Sequence, residues 1–319
     1  MKLRRMMSQT RSRRRLLISR GVTVGMKMKI PLFVLVSCWL CDAQENSRQI
    51  WDDYFGSTRP GPHASASQQR SPQYRLTKPA HKPVAKEPND AGKSSVAIGV
   101  TVWKLQPPLP GDGARLLLQE PLGSETPVQL TPHRMEANEL LKKDDRVRLS
   151  VESPMSGYIY VIDQEMHANG TLEPPYLIFP TNKTRGGNNS VHAGQMLEIP
   201  AQTDRPNVFK VTPKSLDESG EKVTIIVSPA PISGLTVTDR EQILSTATFE
   251  SWVREWGSDS EEYELEGGKG QPWTASEKQA GQDGSRLLTQ DDPPPQTVFV
   301  FPGRAGKSIV ASLNLQLER

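Results

Sequence analysis

Asp163, Glu165, His167 and Glu173 place three carboxylates and an imidazole within eleven residues, just after an apolar run. Oxygen-rich sets of this kind hold hard cations such as calcium. Used that way, the Asp163–Glu173 loop predicts a calcium-binding module or a metal-dependent hydrolase. The same residues also read as a solvated hairpin loop, because Asn169-Gly170 is itself a turn signal. A second candidate is the polar run from Asn182 to Ser190. Adaptable Asn and Gly residues on a rigid β scaffold are common in binding loops, and Asn182, Arg185, Asn188 and Asn189 are the residues placed to do this.

Other chemistry is excluded by spacing. Pro302-Gly303-Arg304-Ala305-Gly306-Lys307-Ser308 ends as a phosphate loop does, but Phe301 stands where the first glycine of that loop belongs. A helix N-terminus must follow such a loop, whereas Ile309, Ala311, Leu313, Leu315 and Leu317 alternate as a strand. His133 and His192 lack metal-ligand spacing, and there is no Gly-x-Ser-x-Gly elbow. The paired acids Glu261-Glu262 lie in a stretch with no scaffold to fix their separation. No residue is assigned a catalytic role, and no cofactor is expected.

The elements that must position these residues begin at Val96. Arg146–Glu152 alternates, with Val147, Leu149 and Val151 on one face. After Ser153-Pro154-Met155-Ser156-Gly157 comes Tyr158–Ile162, apolar on both faces, so the two read as a hairpin. Tyr176–Phe179, Met196–Ile199, Val208–Val211 and Lys222–Val227 add strands. One short helix is predicted after Ser245, where Phe249, Trp252, Val253 and Trp256 share a face and Gly257 stops it. Its paired tryptophans predict a helix packed over the sheet. The fold class is mainly β: an antiparallel sandwich or barrel-like domain.

Composition divides the chain further. Only 35% of the 319 residues are hydrophobic and 27 are proline, so part of the chain is not expected to pack. Residues 44–95 predict a Pro/Ser-rich disordered spacer, save for the aromatic patch Trp51–Phe55, which reads either as a docking motif or as folded onto the domain. Residues 96–256 are expected to form the β domain, 257–295 an acidic flexible linker or loop, and 296–319 a C-terminal hairpin completing the domain. Shortening the linker within 262–280 is expected to be tolerated.

Residues 1–43 hold ten Lys/Arg and one acid, leaving 29 bases against 35 acids in the rest. That acidic balance argues against nucleic acid as a partner. The run Ile30–Leu40 is too short for a membrane-spanning helix but fits a signal peptide h-region. Cleavage after Ala43 predicts export to a periplasmic or extracellular compartment. Leu35-Val36-Ser37-Cys38 also resembles a lipobox, which would anchor the protein to a membrane through Cys38. The only cysteines, Cys38 and Cys41, lie in this leader, excluding disulfides and thiolate metal sites from the remainder.

The central block resembles a bacterial family known as domain of unknown function 4384. The resemblance rests on Gly99-Val100-Thr101-Val102-Trp103, Asp145–Val151, Ser156–Ile162, Tyr176–Pro180, Arg185–Asn188 and Gly194–Pro200, and covers residues 97–256. It implies an exported or multidomain bacterial protein and no agreed catalytic residues. Together these readings predict an exported, non-enzymatic β-domain that binds a protein or cell-envelope component through its loops. Mass spectrometry of the protein from its native host is expected to find the mature N-terminus at Gln44; a diacylated Cys38 would replace this route with lipid anchoring.

Overall fold

The computed structural model describes residues 52–56, 58–61, 72–78, 95–119, 128–153, 155–257, 260–283 and 287–318. The leader 1–43 with Cys38, Trp51 of the aromatic patch and most of 44–95 lie outside these.

Two sheets face each other. The first contains β1 (Tyr74–Lys78), β2 (Val96–Gln106), β3 (Leu116–Leu117), β4 (Gln129–Arg134), β6 (Arg146–Ser153), β10 (Gln195–Ile199), β11 (Phe209–Lys210), β14 (Glu261–Leu265) and β15 (Thr297–Phe301). The second contains β5 (Leu140–Leu141), β7 (Gly157–His167), β8 (Tyr176–Phe179), β9 (Ser190–Val191), β12 (Glu218–Ser228), β13 (Gln242–Ile243) and β16 (Ile309–Leu317). Every pairing is antiparallel except β16 with β5. Alternate residues point inward, as the period of a strand requires. Val147, Leu149 and Val151 of β6 thus meet Val223, Ile225 and Val227 of β12 in one core.

Two expected hairpins are absent. β6 pairs with β2, β10 and β11, while β7 pairs with β12, β8 and β9. The short 153–157 connection therefore crosses between sheets. Likewise β15 runs between β14 and β2 in the first sheet, and β16 lies beside β12 in the second. Both C-terminal strands are apolar on their inner faces, so placing one in each sheet buries both rows across the same core.

The predicted helix is α1 (Thr246–Trp256), with Ser245 accepting a capping bond from the Thr248 amide and Gly257 at its end. It covers the outer face of the second sheet, where Phe249 packs with Tyr160, Ile162, Ile226 and Val310. Trp252 and Trp256 stack at 5.7 Å on that packed side.

The segment 257–295 is not a flexible linker. It supplies β14, which sits between β1 and β15, and a second helix, α2 (Ala275–Asp283). Shortening it within 262–280 would remove both. Nor is 44–95 entirely a spacer. Asp52–Gly56 forms a π-helical turn, Phe55 is fully buried beside Ala97, Val298 and Val300, and Tyr74–Lys78 is a strand. The described part of the aromatic patch therefore folds onto the domain.

These pieces cover the outer face of the first sheet with buried ion pairs. Arg59 Nε and Nη2 donate to Glu152 at 2.7 Å each, Arg134 pairs with Glu277 at 2.5 Å, and Arg148 with Glu198 at 2.8 Å. Arg134 lies 5.1 Å from the Trp103 ring centroid and Arg148 5.9 Å from that of Trp273, and the two indoles meet edge to face at 6.3 Å. Glu277 also accepts from the Thr274 amide while Thr274 Oγ1 accepts from the Glu277 amide, a capping box opening α2. The acidic segment packs because its carboxylate and carbonyls meet arginines brought from elsewhere in the chain.

Removing one member of a buried pair costs about 3–5 kcal/mol, because a charge is left alone in low dielectric. Arg59→Met is therefore expected to lower stability by about that amount in urea denaturation and to open 287–296 to protease. The double variant Arg59→Met/Glu152→Leu is expected to lose less than the single one.

A candidate binding cleft beside an acidic end

The acidic candidates sit where the inner face of the second sheet runs out. Asp163, Glu165 and His167 extend the row of Ile159 and Val161 on β7. Alternate residues on a strand stand about 6.8 Å apart, so these three cannot converge on one ion through the strand alone. Each takes its own partner. The Asp163 carboxyl hydrogen-bonds that of Glu221 on β12. Glu165 accepts from Lys214 Nζ. His167 Nε2 lies 2.8 Å from Glu173 and its Nδ1 3.4 Å from Asp217. Among the described residues, no three His, Cys, Asp or Glu side chains are grouped to hold a metal. The metal set predicted from Asp163, Glu165, His167 and Glu173 is therefore not assembled.

The Asp163–Glu221 pair has its own chemistry. Burial raises both carboxyls; Asp163 raises Glu221 further, to about 9, while the hydrogen bond from Glu221 pulls Asp163 down and the charge of Glu165 pushes it up. Near neutral pH Glu221 keeps its proton and can donate to Asp163. The cavity beside Glu221 is about 40 Å3, walled by Leu141, Phe209, Val211, Leu315 and Leu317. That space suits a water molecule, not a substrate. Among the described residues no hydrogen bond joins a histidine ring to a serine or threonine hydroxyl.

The asparagine loop is occupied with its own shape. Asn182 Nδ2 donates to Asp239 at 2.7 Å, Asn188 Oδ1 accepts from the Ser190 amide and hydroxyl, and Asn189 Nδ2 donates to the Ile159 carbonyl. The Arg185 amide donates to both oxygens of Asp204, holding Arg185 at φ +50°. Asn182, Asn188 and Asn189 serve the turn they lie in, and offer a ligand less than their types suggest.

A different feature is open. β12 pairs with β16 continuously from Ile309 to Gln316, but on the other side β5 reaches only Gln316 and Leu317. Among the described residues, no strand pairs with that edge from Ile309 to Leu315. Two clefts flank it and share Lys78, Ser312 and Asn314. One, of about 430 Å3, is walled by Arg75, Glu262 and Glu264 from β1 and β14 and by the 136–138 turn. Burial lifts Glu264 to about 7, against hydrogen bonds from Gln296 and Thr297 that pull it down. The other, of about 460 Å3, lies over the outer face of the second sheet and ends against α1 at Val253. Sequence reasoning missed this site because Lys78 stood in the expected spacer and Glu262 in the expected linker. The available signal was the polar row Ser312, Asn314 and Gln316 on an otherwise apolar strand.

Glu221 gives a pH dependence of stability. Its carboxyl titrates near 4.3 in an unfolded chain and at about 9 when folded. Between those values the folded state binds the extra proton, so stability falls as pH rises and the contribution is lost on passing about pH 9. Glu221→Gln is expected to flatten the fall in Tm between pH 6 and 9 and to melt above the parent protein at pH 9. An unchanged slope in thermal melts would show that Glu221 ionises normally.

What the cleft accepts is set by its own chemistry: comparison with protein-family models, with curated protein sequences and with solved structures finds no match to this chain.

Proposed function

We propose that this chain is a non-enzymatic binding module that takes an extended segment of a partner protein along the open edge of β16. The observation that carries this reading is the unpaired run Ile309–Leu315, accessible at Ser312 and Asn314 while its other residues are buried, and flanked by clefts of about 430 and 460 Å3. A strand edge without a partner strand offers main-chain donors and acceptors, here within reach around Ser312 and Asn314. An added strand satisfies them, and pockets beside it take alternate side chains. The resemblance to domain of unknown function 4384 fits a module without catalytic residues. The leader sequence supports action outside the cytoplasm, on a protein or envelope component. The asparagine loop is less favoured as the contact surface, because its amides already bond within the domain.

Selection of peptides from a random phage-displayed dodecamer library on the full chain tests this reading. The selected peptide is expected to slow amide hydrogen exchange within Ile309–Leu315 and to leave Asn182–Ser190 unchanged. Protection confined to Asn182–Ser190 would move the interface to the loop, and protection at neither would remove the peptide-binding reading.

A further inference from the structure

The 460 Å3 cleft has a charge pattern of its own. Lys78 from the end of β1 and Lys222 from β12 both line it, and among the described residues no acidic side chain does. Lys222 stands directly opposite Asn314 on β16 and opposite Gln164 on β7. Its ammonium makes no ion pair or hydrogen bond among the described residues, and Lys78 makes no ion pair among them. Glu262, which is paired with Lys78 in the β1–β14 register, lines the neighbouring cleft. Burial lowers the Lys222 pKa, and the charge of Lys78 lowers it further. Lys222 is partly buried and Lys78 exposed, so the two like charges repel. Burial raises the Glu262 carboxyl, and the charge of Lys78 also pulls it down. An anion placed between the two lysines turns their repulsion into attraction and gains charge-assisted hydrogen bonds. Ser260, Ser312 and Asn314 add polar groups, while Val253, Val310 and Leu172 supply an apolar rim.

We infer that this cleft is a carboxylate-binding subsite, which receives an aspartate or glutamate side chain of the strand that docks on β16. This rests on the peptide-binding reading above and adds the recognised chemistry. The site lies over Asn314, on the outward face of β16. Period-two alternation therefore places the acid on the outward face of the added strand. The apolar rim favours a partner with an apolar residue two positions away on that face.

Two measurements on the full chain test this. The first is a titration with sodium acetate, read by NMR of the lysine ε-carbons at constant ionic strength. The Lys78 and Lys222 signals are expected to move with a common saturating curve, ahead of those of Lys142 and Lys210. Both of these already lie beside acids. Uniform shifts across all lysines would overturn the subsite whether or not any peptide binds. The second compares fluorescein-labelled heptapeptides of alternating threonine and valine whose central residue is Glu, Gln or Lys. The Glu peptide is expected to bind about tenfold tighter than the Gln peptide at low salt. Lys222→Gln and Lys78→Gln, checked for an unchanged Tm, are expected to remove that preference while leaving Gln-peptide affinity intact. If Glu and Gln peptides bind equally and both protect Ile309–Leu315 from exchange, the edge reading stands and the carboxylate subsite falls. If no peptide protects that stretch, the docking reading falls, and with it the role of the cleft in taking a partner's acid.

Discussion

Three guanidinium–carboxylate pairs, Arg59–Glu152, Arg134–Glu277 and Arg148–Glu198, fix the outer layer on which the candidate cleft depends. Arg134 Nη1 also donates to the Pro294 carbonyl at 2.7 Å, and Arg59 to the carbonyls of Thr289, Asp292 and Pro293. These bonds deliver the chain to β15 in register. Pro295 can lie against β2 only because residue 99 is glycine; a Cβ there would stand 2.4 Å from its ring. Gln296 then bonds Glu264 and the Leu265 carbonyl of β14, and Tyr74 Oη donates to the Pro295 carbonyl. β1 and β14 thereby hold the wall of the cleft that carries Arg75, Lys78 and Glu262.

The chemistry of the pairs suits the segment they hold. Proline has a carbonyl but no amide hydrogen, so the run Pro293-Pro294-Pro295 presents acceptors and no donors. Arginine carries five donors and no acceptor. Arg59 and Arg134 match that imbalance, and Arg148 does the same for the carbonyls of Pro200 and Asn207. An apolar cover would leave these carbonyls buried and unpaired, at about 1–3 kcal/mol each. The ionic cover is costly too. Burial pushes the Glu198 carboxyl up and the Arg148 guanidinium down, against the attraction between them. Its worth therefore lies in satisfying irregular backbone more than in raw attraction between charges.

Much of the inner sandwich was legible in the sequence because alternation is local. Val147, Leu149 and Val151 declare their shared face without reference to any distant residue, and the helix between Ser245 and Gly257 carries both its signals within its own span. Sheet membership is not local. A three-residue connection between β6 and β7 serves a hairpin or a crossing equally, and only the opposite core row selects the crossing. The outer layer was illegible for the same reason. Glu277 finds its arginine 143 residues away, and Arg59 its carboxylate 93 residues away. Thr274 and Glu277 did spell a capping box, but the surrounding acids read as solvated. Of the candidate site, Asp163 and Glu165 were found as an acidic cluster. Their true partners, Glu221 and Lys214, come from across the sheet and from the loop before β12.

An open strand edge invites a second copy of the same chain as readily as a partner, and proteins usually guard such edges with charge. Under the proposed reading, the lysine pair would be that guard. Two copies meeting edge to edge along β16 would bring Lys222 and Lys78 of one toward those of the other, with Ser312, Asn314 and Gln316 offering no apolar gain. The ammonium groups that make self-pairing unfavourable favour a strand with an acid at the matching place. Under the proposed docking, the main-chain edge would supply affinity for an extended segment and the charge of the cleft would decide which segments are refused.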